Sequence, residues 1–230
     1  FAAGATTQGA MAQTESATAQ SKIDEIIVTA TKRATSLQDT ALSVSAISGA
    51  DLSKLGVTGF DQVLATIPGV TVLETGPGNS RVVYRGISTD SSGFNGNAIT
   101  ATYLDGFALG LKDVDIKLVD MARIESLKGP QGTLYGQSAL GGVLRFITNK
   151  PSFEAIEGGI DLTGERVADG GEGYQTQGYI NIPLSDNLAV RAVFYDHDSP
   201  GFIDNLGTGT KDINSEEVTG GRLALRWDIS

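Results

Sequence analysis

The residues whose types and spacing could do chemistry cluster in "KGPQGTLYGQSALGG" at residues 128–142, a run with five glycines. A glycine loop opening onto a helix can cradle phosphates, provided that it reads G-x-x-x-x-G-K-[ST], with Lys meeting the phosphates and the hydroxyl holding magnesium. Gly136 and Gly141 have that separation, but Gly142 and Val143 stand where the Lys and the hydroxyl belong, so phosphate binding fails. A nucleophile elbow, G-x-S-x-G, also nearly appears, yet Gly136-Gln137-Ser138-Ala139-Leu140 lacks its second glycine. Gly76-x-Gly78 runs on to Arg81 instead of the third glycine of a dinucleotide fingerprint. "DGGEG" at 169–173 matches one copy of a calcium-binding repeat, and chance explains a lone copy better. His197, the single histidine, reads as a solvated side chain in a polar loop, and with no cysteine there is no thiol nucleophile, disulfide or zinc–thiolate site. No acid, base and nucleophile assemble, so the sequence reads as a non-enzyme without a cofactor. The glycines are assigned to backbone geometry: positive φ and close packing.

Composition narrows the partners. The chain has 230 residues, with 17 basic against 27 acidic side chains and a net charge of −10. A surface that binds nucleic acid needs the opposite balance. No apolar run approaches the ~20 residues of a membrane helix, which leaves a lipid anchor, a surface helix or a β-barrel as membrane roles. The start, "FAAGATTQGAMAQ", is small and uncharged, and Ala10-Met11-Ala12 is an A-x-A site. Residues 1–12 therefore read as the tail of a secretory signal peptide cleaved between Ala12 and Gln13, with a low-complexity tail as the alternative. The other end, "VTGGRLALRWDIS", stops inside an alternating strand, so the sequence reads as a piece of an exported protein.

The elements that must position any site come in three blocks. Residues 13–35 read as a disordered tether. Within it "IDEIIVTATKR" is an island whose β-branched Ile26, Ile27, Val28 and Thr29 favour an extended strand. That strand is either an edge of the next domain or a peptide that adds itself to a partner's sheet. From 36 to 151 the pattern predicts an α+β domain. Ser48 to Asp51 forms a capping box with Asp in the Glu position, and Leu52 and Leu55 follow at helical spacing before Gly56. A second helix is expected from Thr58, with Val63, Leu64 and Ile67 on one face, ending before Pro68. Strands are expected at "VTVLE", "RVVYRGI", "RIESL" and "GVLRFITN", with a hairpin turning at Asp105-Gly106 and a short helix around 114–119. From 152 to 230 long alternating strands take over. Leu223, Leu225, Trp227 and Ile229 fall on one face and Arg222, Arg226 and Asp228 on the other. Short turns on one side and long loops on the other suit a transmembrane barrel, while a sandwich with one wet face gives the same alternation.

Read together, these motifs resemble the N-terminal part of a TonB-dependent outer-membrane transporter. "DEIIVTATKR" resembles the TonB box, "YRGIS" and "YLDG" resemble signatures of the plug domain, and "RIESLKGPQGTLYGQSALGGVLRFITNKP" is similar to the family's most diagnostic plug stretch. The resemblance implies a plug of mixed strands and helices, followed by the first three or four antiparallel strands of a barrel of about 22. It further implies energy-coupled import across the Gram-negative outer membrane, with the plug and N-terminus facing the periplasm. Asp24, Glu25, Ile26, Ile27, Val28, Thr29 and Ala30 would pair with TonB by strand addition. Arg81 and Arg85 would face barrel carboxylates, and Gly76, Asn79, Ser91, Phe94, Asn95 and Asn97 would sit in substrate-facing loops. The expected partners are TonB, outer-membrane lipid and a small nutrient, a ferric siderophore first. Oligosaccharide or cobalamin uptake is the alternative, and a soluble periplasmic binding or scaffold domain is the rival of another class.

Overall fold

In the computed structural model the described residues are 26–30, 32–55, 59–74, 80–87, 100–109, 116–136, 139–168 and 170–229. The chain builds an α+β domain and then one antiparallel sheet. Two short strands come first, β1 (Ile27–Val28) and β2 (Thr35–Ser36), paired antiparallel. β3 (Val44–Ser48) leads into α1 (Gly49–Leu55), where the Ser48 hydroxyl accepts from the Asp51 N–H at 3.1 Å and donates to the Asp51 carboxylate at 2.6 Å. The Ser48–Asp51 signature thus does cap the helix, with the Ser48 hydroxyl bonded to both the N–H and the carboxylate of Asp51. α2 (Phe60–Ala65) starts from Gly59 with no side-chain cap, later than the expected Thr58, which lies outside the described residues. Val63, Leu64 and Ile67 bury their shared face as expected.

β4 (Val70–Glu74) and β5 (Ser80–Tyr84) form a two-stranded ribbon. β6 (Thr100–Leu104) and β7 (Phe107–Ala108) make the expected hairpin, with Asp105 and Gly106 both at positive φ, 48° and 91°, as a type I′ turn requires. β8 (Met121–Lys128), α3 (Gly132–Tyr135) and β9 (Gly142–Thr148) complete the domain. The central sheet has the order β3-β8-β9-β6-β7, with β6 and β9 parallel and the other pairs antiparallel. One expectation fails here: no helix forms over 116–119, which is irregular. A short helix, α3, sits inside the glycine run.

The central sheet is buried on both faces. Ile124, Leu144 and Phe146 pack under Leu52, Phe60, Val63, Leu64 and Ile67 on one side. Leu127 and Val143 face the other way, against Val28, Ala30, Tyr135 and Ala139. Alternation along β8 and β9 requires this two-sidedness, because neighbouring side chains point to opposite faces. Tyr84 closes the first core, its hydroxyl within 2.9 Å of Ser126 Oγ and donating to the Val143 carbonyl at 3.1 Å, and burial raises its pKa.

Four long strands follow, β10 (Glu157–Arg166), β11 (Glu172–Ser185), β12 (Leu188–Ser199) and β13 (Glu216–Trp227), in sequence order and all antiparallel. β12 takes in His197, which belongs to a strand and not to the polar loop that its neighbours suggested.

Candidate functional site

The segment 26–30 is docked, not tethered loosely. Val28 and Ala30 have no exposed surface and belong to the second core, while Ile27 is 44% exposed. Two bonds hold its backbone to the domain from outside the hairpin. Tyr135, delivered by α3, donates its hydroxyl to the Ala30 carbonyl at 2.7 Å, and burial raises that hydroxyl's pKa and keeps it a donor. The Thr29 N–H donates to Glu125 Oε1 at 2.8 Å.

Glu125 is fully buried on β8, a position that only paired charges tolerate. Arg123 Nε donates to its Oε1 at 2.7 Å, and Arg145 of β9 donates to its Oε2. Both arginines also reach the Thr29 hydroxyl, at 3.2 and 3.0 Å. Lys32 lies 4.7 Å from the Tyr135 ring centroid and Arg145 5.7 Å from it, so the ring has cations around it. The cluster binds a strand; nothing in it resembles an acid–base–nucleophile set. Of the seven residues expected to meet TonB, Ile26 to Ala30 are placed together here, and Asp24 and Glu25 lie outside the described residues.

A second polar centre joins the domain to the four-stranded sheet. Asp120, just before β8, takes bonds from Arg191 of β12 (Nε 2.8 Å, Nη2 2.5 Å), Arg222 Nη2 of β13 (2.5 Å) and Asn149 Nδ2 (2.8 Å). Its side chain is 3% exposed. Arg191 also stacks on Tyr179 at 4.1 Å, and Arg226 lies 4.4 Å from the Phe153 centroid. Lys117 Nζ meets the Glu216 carboxylate at 3.0 Å. The inward arginines of the strands thus contact the domain, while Leu223, Leu225, Trp227 and Ile229 stay exposed on the outer face.

The expected contact residues fare differently. Arg85 leaves the strand, since β5 ends at Tyr84, and turns with φ 48° while its N–H donates to the Gly69 carbonyl. The strand expected over "RVVYRGI" therefore stops short of Arg85. Arg81 is paired with Leu73 through the backbone, and its side chain lies outside the described set. Gly76, Asn79, Ser91, Phe94, Asn95, Asn97, Ala12 and Gln13 also lie outside the described residues. Sequence reasoning missed Asp120, Glu125, Tyr135 and Arg145. For Glu125 and Arg145 the available signal was a charged residue inside an otherwise apolar strand, in "RIESL" and "VLRFI", and no local pattern marked Asp120 or Tyr135.

The glycine run has its explanation. Gly136 sits at φ 75°, and a Cβ on Gly142 would come within 2.7 Å of the Leu127 carbonyl and 2.8 Å of the Tyr84 ring. These glycines close a loop that carries Tyr135 to the docked segment.

Residues 36–143 match the family model of the TonB-dependent Receptor Plug Domain. The chain carries a TonB-dependent receptor plug domain. A pesticin receptor from Yersinia pestis is 29% identical over 215 residues, which cover 91% of this chain and 30% of that protein. A vitamin B12 transporter from Photobacterium profundum is 27% identical, over 92% of this chain and 35% of its own length. The crystal structure of a ferric yersiniabactin uptake receptor from Yersinia pestis superposes with a TM-score of 0.68 at 27% identity, over 80% of this chain and 28% of that one. The chain spans about a third of these relatives' length. The plug and the first antiparallel barrel strands are the fold they share with it.

Proposed function

We propose that this chain is part of an energy-coupled importer of the Gram-negative outer membrane, with residues 26–30 as the segment that TonB captures by strand addition. One observation carries the reading: the plug is seated by Asp120 on arginines of strands whose opposite face is apolar and exposed. An inward polar face against a plug and an outward apolar face toward lipid is the arrangement of a plugged membrane barrel. A soluble periplasmic scaffold would leave Leu223, Leu225, Trp227 and Ile229 facing water, which weighs against that rival.

The substrate favoured is a ferric siderophore, since a relative matched over most of this chain is a ferric yersiniabactin uptake receptor. Cobalamin is the second reading, supported by the vitamin B12 transporter among the relatives. Uptake of labelled ferric siderophore and labelled cobalamin by cells with and without the gene separates the two. Coupling is tested by Val28→Pro in the whole protein. Proline removes a ladder donor and cannot continue strand pairing, so uptake should be lost while substrate binding to whole cells is retained. Normal uptake by this variant overturns the assignment of the box.

A further inference from the structure

Each strand pair of the four-stranded sheet carries a glycine covered by the ring of the aromatic residue directly opposite: Gly159 by Tyr179, Gly178 by Phe194 and Gly220 by Tyr195. A Cβ on Gly159 would come within 2.9 Å of Tyr179 Cε1, and one on Gly178 within 2.6 Å of Phe194 Cε1. A Cβ on Gly220 would come within 2.9 Å of Tyr195 Cε1 and nearer still to its phenolic end. None of these glycines has a positive φ, so each position uses the missing side chain and not the freedom of the backbone.

Alternation alone cannot set the register of such strands. A slip of one residue turns the apolar face inward, but a slip of two returns every side chain to its own face. Between β11 and β12 the tight turn at Asp186-Asn187 removes that ambiguity. β12 and β13 are joined through residues 200–215, a long loop that leaves it open. There the ring decides. Shifting β13 by two residues puts Val218 or Arg222 under Tyr195 in place of Gly220, and sets Arg222 or Arg226 directly opposite Arg191 in place of Ala224. Bulk under the ring and like charges face to face both disfavour those registers. The shift would also carry Arg222 about 7 Å along the wall, away from the Asp120 carboxylate that it shares with Arg191.

We propose that Tyr195 and Gly220 are positioning residues: ring and glycine set the register of β12 against β13, and through it bring Arg191 and Arg222 to one carboxylate of the plug. They act through the arginines and need no contact with Asp120. Tyr179 supports the same end from β11, lying over Gly159 and stacking on Arg191 at 4.1 Å. The seat for the plug is thereby specified in the pairing of the wall, whatever nutrient the receptor imports.

The test traps the register by oxidising cysteine pairs in the whole receptor, in outer membranes; these 230 residues supply no cysteine of their own. Ala192→Cys with Leu223→Cys reports the observed register, since the two stand directly opposite. Ala192→Cys with Gly221→Cys reports β13 shifted by two, a diagonal beyond the roughly 7 Å reach of a disulfide in the observed register. With 195, 218 and 220 unaltered, only the 192/223 pair should crosslink. Exchanging Val218 and Gly220 (Val218→Gly with Gly220→Val) moves the gap under the ring by two residues without changing composition. It should raise 192/221 crosslinking several-fold at the expense of 192/223. Once Tyr195→Ala is present the exchange should make no difference, an outcome that a merely structural need for glycine at 220 does not give. In the shifted receptor Asp120→Asn should no longer lower the melting temperature, its arginines having moved apart. An exchange variant that crosslinks only through 192/223 overturns the proposal, and so does an effect of the exchange that survives Tyr195→Ala. A full effect of Asp120→Asn in the shifted receptor overturns the link to the plug. If the exchange variant does not reach the outer membrane, Tyr195→Ala alone decides: it should raise 192/221 crosslinking, and an unchanged pattern counts against the ring.

Discussion

Asp120 does more at this junction than any arginine that the sequence singled out. One carboxylate serves two arginines from adjacent strands, and its backbone is turned through φ 53° to reach them. Removing one partner of a buried ion pair leaves the other charge uncompensated, which costs about 3–5 kcal/mol. Asp120→Asn is expected to lower thermal stability of the detergent-solubilised receptor by about 3 kcal/mol at the plug's transition, measured by calorimetry. Asp105 gives a pH-dependent counterpart. Burial raises its pKa, but bonds from Lys150 Nζ (2.6 Å) and from the Thr148 hydroxyl and N–H outweigh that and leave it lowered. A carboxyl depressed in the folded state stabilises above its unfolded pKa of about 3.9 and loses that contribution as pH falls through the folded value. Stability of Asp105→Asn should therefore fall less steeply than that of the unaltered protein below about pH 4, followed by tyrosine fluorescence. Neither residue's ion pairs were legible beforehand. The partners of Asp120 lie 71 and 102 residues away in sequence, and no local pattern announces a contact over such spans.

Among the elements, legibility tracked how local the cause was. The Ser48–Asp51 cap and the Asp105-Gly106 turn are decided within four residues, and both appear where the sequence puts them. Alternation in β12 and β13 likewise reads directly, because burial on one face dictates it: Ala189, Arg191 and Val193 point inward. The helix expected around 114–119 did not form over 116–119. Ile116 and Leu118 pack instead against the first core, and Lys117 between them reaches Glu216, so an extended path serves both sides. For residues 26–36, β-branching correctly signals a strand, but docking depends on α3 and β8, more than 90 residues downstream. The loop between β8 and β9 tests the packing argument for its glycines. Gly142→Ala puts a methyl against the Leu127 carbonyl and the Tyr84 ring, and overpacking of that kind costs about 1–3 kcal/mol. The denaturant midpoint of the plug's unfolding should fall accordingly, with its m-value unchanged.

At the scale of the whole molecule, the four strands locate a membrane. Tyr174 pairs with Asp198 at one end of β12, and Trp227 pairs with Leu188 at the other, ten residues away. Ten residues at about 3.4 Å, tilted by about 45°, span about 24 Å, close to the ~25 Å apolar band that aromatic girdles flank in outer-membrane barrels. Between those rows the outer face carries Ile160, Ile180, Phe194, Leu223 and Leu225, all exposed. Leu223 stands near the middle, so Leu223→Arg should cost about 2–4 kcal/mol, read from the denaturant needed to unfold the receptor out of vesicles. The same change at an inward position near the plug would be tolerated far better, as Arg191 and Arg222 already are. β8 has one further consequence. Its residue Glu125 grips Thr29, with Arg145 of β9 doing the same, and Asp120, one residue before its start, grips the barrel wall while Asn149, one residue past β9, holds Asp120. A pull on the N-terminal segment is thus in series with the wall through a single strand pair, and the weakest of those two grips decides whether the peptide peels away alone or takes the sheet with it.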